Sequence, residues 1–290
     1  MKFGIGVIVY NPDKYVIKRL RKYKDITDYL FVFDNSELDS QISSDIKKEF
    51  GAHYCHKNNV GMSGALNWII KESFKKQLDY LLTMDQDSDF ASESICEMLK
   101  LIQSEKDTNI AVHCPNYRKI YSDENGNEIF GDFKISNEEN KDVNYSMTSA
   151  SFFKVKYLSG LEPLDNLFIG YVDQDICYSL RNRGYKIRMV GSISFDQRVG
   201  QTLSGSRYNQ LIKAVKHTPT RYYYMGRNNI YLREKYSDSK KIVKELKLSY
   251  YRILLNIFLS ENDKAKKISA FSKGKKDAKI NKLGKLQGNL

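Results

Sequence analysis

Two short acidic motifs carry chemistry most directly. Asp85-Gln86-Asp87 ends the apolar run from Tyr80 to Met84. Two carboxylates at i and i+2 in a turn can hold a hard divalent cation, Mg2+ or Mn2+, which keeps waters and takes phosphate oxygens as further ligands. A cation there would neutralise a leaving diphosphate. A solvated acidic turn is the bland alternative; the buried strand before it and the other polar strand ends favour the site. Asp173-Gln174-Asp175 opens a helical stretch after Phe168-Ile169-Gly170-Tyr171-Val172. A carboxylate at a helix N-terminus stays ionised, because the dipole and the free N–H groups favour charge. It could accept a proton from an incoming hydroxyl, or it could simply cap the helix. A third cluster is Asn59-Val60-Gly61 with Ala65 and Asn67. N–H groups at a helix start suit phosphate or sugar oxygens, and Asn capping with a turn glycine explains the same letters equally well.

The elements that must position these groups alternate. Apolar runs predict strands over Phe3–Tyr10, Tyr29–Phe33, Ala52–Cys55, Tyr80–Met84 and Ile110–His113. Helical spacing predicts helices over Asp13–Tyr23, Ile42–Phe50, Met62–Phe74 and Ser92–Ile102. Such alternation with short links implies a parallel sheet with right-handed crossovers, whose ligands sit at the carboxyl ends of the strands. The polar clusters Tyr10-Asn11, Asp34-Asn35-Ser36, Asn58-Asn59 and Asp85-Gln86-Asp87 fall there. Further on, a turn is expected over 123–127, a strand over Asn144–Phe153, a helix over Asp173–Asn182, a strand over Tyr185–Val190 and a flexible polar loop over Gly200–Ser206. A Tyr- and Arg-rich helix runs from Pro219 to about Tyr236. After Ser260 the chain reads as a Lys-rich surface tail.

Length and composition narrow the classes. The 290 residues are 41% hydrophobic and 28% charged, ordinary globular usage that excludes global disorder. The net charge of +12 is uneven. Residues 236–290 hold 13 Lys and one Arg against five acids, a net +9, so the body is near neutral. Cys55, Cys96, Cys114 and Cys177 form no C-x-x-C pair and read as reduced thiols of a cytoplasmic protein. Met1 to Tyr10 reads as a first strand and not as a signal peptide, and no apolar run reaches about 18 residues. His53, His56, His113 and His217 are scattered. No Walker A or G-x-S-x-G sequence occurs, and Gly4-Ile5-Gly6 lies inside a strand.

Together these residues are similar to family 2 glycosyltransferases of the GT-A fold. Val9-Tyr10-Asn11-Pro12, Asp34-Asn35-Ser36, Asn59-Val60-Gly61 with Ala65 and Asn67, and Asp85-Gln86-Asp87-Ser88 follow the family's order and spacing. The D-Q-D-S form resembles the rhamnosyltransferase branch. So do Met147-Thr148-Ser149-Ala150-Ser151, Phe168 to Asp173, and Arg221-Tyr222-Tyr223-Tyr224 with Arg227-Asn228. The likeness covers residues 3–235. It implies a Rossmann-like, mostly parallel α/β sheet in a GT-A domain over 1–235, with a nucleotide-sugar half (1–115) and an acceptor half (116–235). A basic helical extension would follow over 236–290.

The resemblance also implies roles. Tyr10, Asn11, Pro12, Asp34, Asn35, Asn59, Gly61, Asn67, Asp85, Gln86, Asp87 and Ser149 would hold the donor. Asp87, Asp85 and Gln197 would face the metal, Mg2+ or Mn2+. Asp173 would be the base on the acceptor hydroxyl and Asp175 a supporting carboxylate. Gln197 stands where the family often has His, which weakens metal affinity, and Ser179 stands where an Arg is frequent. The implied reaction is an inverting transfer of L-rhamnose from dTDP-rhamnose to a lipid-linked saccharide at the inner face of the cell membrane. A UDP-hexose such as UDP-galactose is the alternative donor. Outside this class stand an inactive sugar-binding relative and a basic nucleic-acid-binding module. Retention of Asp87 and Asp173 speaks against the relative. The confinement of charge to the tail speaks against nucleic acid as a partner. The amphipathic stretch Lys240–Leu259 carries Ile242, Val243, Leu246, Tyr250, Ile253, Leu254, Ile257 and Phe258 at helical spacing, with Lys240, Lys241, Lys244 and Lys247 beside them. It reads as a dock for a membrane or a second copy, or as a face packed on the body.

Overall fold

Phe3–Val9 (β1) is apolar at every position but Gly4 and Gly6, and it forms a strand covered on both faces. A Cβ at Gly6 would lie 2.3 Å from the Ile69 side chain, so glycine here allows a helix to lie close on the sheet. The computed structural model describes residues 1–123, 125–161, 164–201, 215–288 and 290; for residues 165, 200 and 201 it describes the backbone alone. The expected loop at Gly200–Ser206 falls largely outside the described residues.

The first 104 residues follow the expected alternation. Lys14–Lys24 (α1), Tyr29–Asp34 (β2), Gln41–Phe50 (α2), Tyr54–His56 (β3), Gly61–Lys75 (α3), Tyr80–Asp85 (β4) and Ser92–Ser104 (α4) succeed one another. Asp13 caps α1 by accepting the N–H groups of Tyr15 and Val16, and Ser40 caps α2. The order β3-β2-β1-β4 is parallel throughout. The sheet then becomes mixed. Ile110–Ser122 (β5), Glu128–Phe130 (β6), Lys141–Val143 (β7), Ser151–Lys154 (β8) and Lys186–Gln201 (β9) complete it in the order β4-β8-β5-β9-β7, with β6 against β5. β8 runs antiparallel to both β4 and β5, whereas β5 and β9 are parallel.

Three strand expectations need correction. β5 does not stop at His113. A register shift between Pro115 and Asn116 lets the strand continue along β9, and buried Asn116 bonds the backbone of Lys134 and Ile135. β9 likewise runs on to Gln201. The stretch Asn144–Phe153 is a strand only from Ser151; Ala150 at φ 60° breaks it and leaves 144–149 as a loop. Between β5 and β6, where a turn is expected over 123–127, Asp123 accepts the N–H groups of Asn125 and Asn127; Glu124 lies outside the described residues.

Val172–Asn182 (α6) follows the short helix Val155–Leu158 (α5). Three C-terminal helices then pack together: Pro219–Lys235 (α7), Lys240–Ser260 (α8) and Lys264–Lys279 (α9). The Lys-rich end is therefore not a surface tail. Ala270, Phe271 and Ala278 are buried, and Gly226 and Gly274 bring α7 and α9 together so closely that a Cβ on Gly274 would meet the Tyr223 carbonyl at 2.1 Å. Buried Lys267 and Glu261 pair across the α8–α9 turn. Ile242 and Leu246 belong to the same buried cluster as the strands.

Candidate active site

The carboxyl ends of β1, β2 and β4 meet the start of α3 around a cavity of about 470 Å³. Tyr10, Asn35, Asn59, Gly61, Asp85, Gln86 and Asp87 line it, with Ile8, Met62, Phe168 and Ile169. Gln86 is a clamp: its Oε1 accepts the Tyr10 N–H at 2.8 Å and its amide donates to the Tyr10 carbonyl at 3.0 Å. Asn35 Oδ1 accepts the Val60 N–H at 2.8 Å, fixing the entry to α3. Asn59 bonds both the Gly61 N–H and Glu37 while facing the cavity, so the turn and lining readings coexist.

Four other expected donor residues do not line this cavity. Asp34 is fully buried and accepts from the Ser36 N–H and the Tyr54 hydroxyl. Asn11 donates its N–H to Ser36 Oγ, at φ 45°. Pro12 is buried next to it. Asn67 accepts the Leu164 N–H at 3.2 Å. These four shape loops and do not line the cavity.

A second cavity of about 530 Å³ adjoins the first, and Asp85, Met62 and Ile169 line both. Burial pushes the Asp85 carboxyl up to about 7, and the nearby charges of Asp173 and Asp87 add to this; Gln197 and Ser149 oppose it by hydrogen bonding. The Asp85 N–H donates to Ser149 Oγ, Ser149 to Ser88, and Ser88 to Gln197 Oε1. Ser149 and Gln197 thus stand on the side of the second cavity. Among the described residues, no group of three or more His, Cys, Asp or Glu converges as a closed metal cage. Asp85 and Asp87 nonetheless supply hard oxygen donors with surplus negative charge, which suits a divalent cation completed by waters and phosphate oxygens.

Asp173 lines the second cavity from the first turn of α6. It does not cap that helix. The preceding Tyr171 sits at φ 64° without a side-chain cap, and Asp173 instead accepts from Thr148 Oγ1 at 2.8 Å and from the Tyr145 hydroxyl at 3.2 Å. Burial raises its pKa, opposed by those two bonds and by Arg221. Asp175, two residues on, points elsewhere. It is buried against Lys235 Nζ at 3.0 Å and the Tyr236 hydroxyl at 2.6 Å. The structure therefore separates the two carboxylates that the sequence places together.

The strip 167–171, which walls both cavities, is held in an unusual shape. Phe168 and Tyr171 have φ of 61° and 64°, a conformation that costs on the order of 1 kcal/mol or more per residue. Buried Arg227 donates to the carbonyls of Asn166 and Leu167, and Asn228 to those of Leu167, Ile169 and Gly170. Tyr117, Lys119, Tyr145, Thr148, His217 and Arg221 also line the second cavity and were not among the expected site residues. Tyr117 and Lys119 share one face of β5, and reading β5 to its true length would have revealed them.

The profile of Glycosyl transferase family 2 matches residues 5–161, more than half of the chain and every wall of the first cavity except Phe168 and Ile169. The chain belongs to this family. As a family 2 glycosyltransferase it shares the GT-A fold with solved structures of low sequence identity. One is GalNAc-T7 with UDP, GalNAc and Mn2+, at TM-score 0.51 and 14% identity over 79% of this chain and 50% of that one. Another is S. aureus TarS, at TM-score 0.50 and 14% identity over 97% of this chain and 44% of that one. A TarS fragment, residues 1–349, matches at 0.50 and 13% identity over 94% of this chain and 70% of that one. The chain thus spans about half the length of the first two. No curated protein matches it in sequence.

Proposed function

We propose that this family 2 glycosyltransferase moves a sugar, with inversion, from a nucleoside-diphosphate donor in the first cavity to an acceptor hydroxyl in the second. The observation that carries this reading is Asp85, which borders both cavities, with Asp173 held on the far side of it by Thr148 and Tyr145. Asp85 and Asp87 would hold Mg2+ or Mn2+. When bound, the ion supplies positive charge to the departing diphosphate. Asp173 takes the proton of the acceptor hydroxyl. The hydroxyl oxygen forms its bond to C1 of the sugar as the bond from C1 to the diphosphate oxygen breaks. One displacement needs one base and no covalent nucleophile. Burial makes Asp173 a stronger base than an exposed carboxylate, which suits the task.

The D-Q-D-S form supports L-rhamnose from dTDP-rhamnose as the transferred group, with a UDP-hexose as the second candidate and a saccharide, free or lipid-linked, as acceptor. The test is thermal stabilisation by a panel of nucleotide-sugars with Mn2+ or Mg2+. A true donor at about 100 times its Kd adds about 2.7 kcal/mol of stability. The largest shift is expected with dTDP-rhamnose. A larger shift with UDP-galactose moves the donor assignment, and no shift with any nucleotide-sugar refutes the reading.

A further inference from the structure

Helix α8 has two apolar faces, and among the described residues only one is packed against the protein. Ile242, Leu246 and Ile257 turn inward and are buried, and Ser249 and Ile253 on that side line the cavity of Asp173. On the opposite face stand Leu248, Tyr251, Leu255, Phe258 and Leu259, each between 49% and 66% exposed. Counted from Leu248 they lie three, seven, ten and eleven residues on, the spacing of one helical stripe. Lys240, Lys241 and Lys244 lie eight, seven and four residues before Leu248, so they continue the same face toward the helix start, and all three are exposed. Lys247 and Arg252 flank it, also exposed. The helix has one acid, Glu245, and it is engaged by Arg181 at 3.0 Å. The outer face is therefore basic in its first turns and apolar in its last.

That division selects the partner. A second copy of this face would bring lysines and apolar side chains but no acids to meet the lysines. An anionic bilayer satisfies both halves. Large apolar side chains enter the boundary between headgroups and acyl chains, and lysines lie among the phosphates. We propose that this outer face of α8 docks the protein on an anionic lipid surface. The inner side of the same helix walls the Asp173 cavity, so docking would hold that cavity about one helix diameter, roughly 10 Å, from the lipid.

The test is co-sedimentation of the full chain with vesicles of phosphatidylcholine containing about one-third phosphatidylglycerol at low salt. The chain is expected to bind these, to release as salt rises, and to ignore pure phosphatidylcholine. The double variant L255E/F258E is expected to bind at least about 30-fold more weakly. The triple variant K240Q/K241Q/K244Q is expected to lose roughly 100-fold, from about 1 kcal/mol per lysine. All five positions are exposed, so both variants should keep the wild-type melting temperature. Wild-type chain that ignores the anionic vesicles overturns the proposal, as does wild-type binding by either variant. So does a wild-type dimer, indifferent to vesicles, that L255E/F258E converts to monomer; the face would then join two copies. Vesicle binding needs neither donor nor acceptor, so its failure is separate from any failure of the transferase reading.

Discussion

The two adjoining cavities are built in different ways. Residues 8–87 supply every wall of the first except Phe168 and Ile169. These walls are the ends of neighbouring parallel strands and the first turn of α3, so topology alone delivers them to one place. Apart from the shared Met62 and Asp85, the second is assembled mainly from β5, the 145–149 loop, α6, β9, α7 and α8, elements brought together by long-range packing. Its key strip, 167–171, is strained and needs Arg227 and Asn228 to hold it. On the proposed reading, the donor side is thus written into local order, and the acceptor side into tertiary contacts. Changes at the first should act mainly on donor binding, and changes at the second on turnover.

The sharpest break of that division is Asp173→Asn. The amide keeps the shape and the two hydrogen-bonding neighbours but cannot take the proton. Turnover is expected to fall about 10²–10⁴-fold while donor affinity stays within a few-fold. Steady-state rates alongside donor titration by calorimetry separate the two. An equal loss in both would mean that Asp173 belongs to the donor side.

Asp175 provides the contrast within the same helix turn. Its carboxylate meets Lys235 and Tyr236 inside the protein. Asp175→Ala leaves the Lys235 ammonium, on a side chain only 16% exposed, without its partner. The expected cost is about 3 kcal/mol of stability, as for other broken buried pairs, seen as a lower denaturant midpoint. Turnover per folded molecule should change far less than in Asp173→Asn.

That pair also shows what the sequence could reveal. Strand–helix alternation and polar strand ends were legible, because hydrophobic period and turn residues are local signals. The direction of each side chain was not. Asp173 and Asp175 look equivalent as letters, yet their spacing on a helix sends them to opposite sides. Asp34 and Asn67 read as ligand contacts and turn out to bond the protein itself. Lys119 was hidden because the strand was expected to end at His113, when it runs on past Pro115 through a register shift. The packed α9 was concealed by its lysines, since its buried face sets Lys267 and Asp277 among small residues and one phenylalanine.

Gly61 tests how rigid the donor side is. Its φ is 79°, and an added Cβ would lie 2.4 Å from the Phe168 carbonyl oxygen. That oxygen also accepts the Ser63 N–H at 3.2 Å, so it cannot retreat freely. Gly61→Ala combines a left-handed backbone with a clash, and about 2 kcal/mol of destabilisation is expected. Because both cavities share the strip that moves, donor binding should weaken together with the melting temperature. Unchanged donor affinity in a destabilised protein would show that the strip serves the acceptor side alone.

The smallest expected effect lies away from both cavities, at His113 in β5. The ring is buried, and neither of its nitrogens has a hydrogen-bond partner among the described residues. Burial pushes its pKa down to about 4; Glu105, 4.0 Å away, pulls the other way but does not prevail, and Arg188 and Lys154 add to the lowering. The unfolded chain titrates near the ordinary histidine value of about 6.5. Its folded pKa is depressed, so the neutral ring contributes stability fully above about 6.5, and that stability is lost as pH falls toward 4. Between those limits the unfolded state binds the extra proton, at up to about 1.4 kcal/mol per pH unit. His113→Leu removes the titration while keeping an apolar side chain under Tyr80, whose ring lies 6.3 Å from that of His113. The stability difference between variant and wild type, from denaturant melts, is therefore expected to move by about 1–2 kcal/mol in favour of the variant between pH 7.5 and pH 5. A difference that does not vary with pH would mean that the folded protein protonates His113 as readily as the unfolded chain does, with Glu105 as its partner.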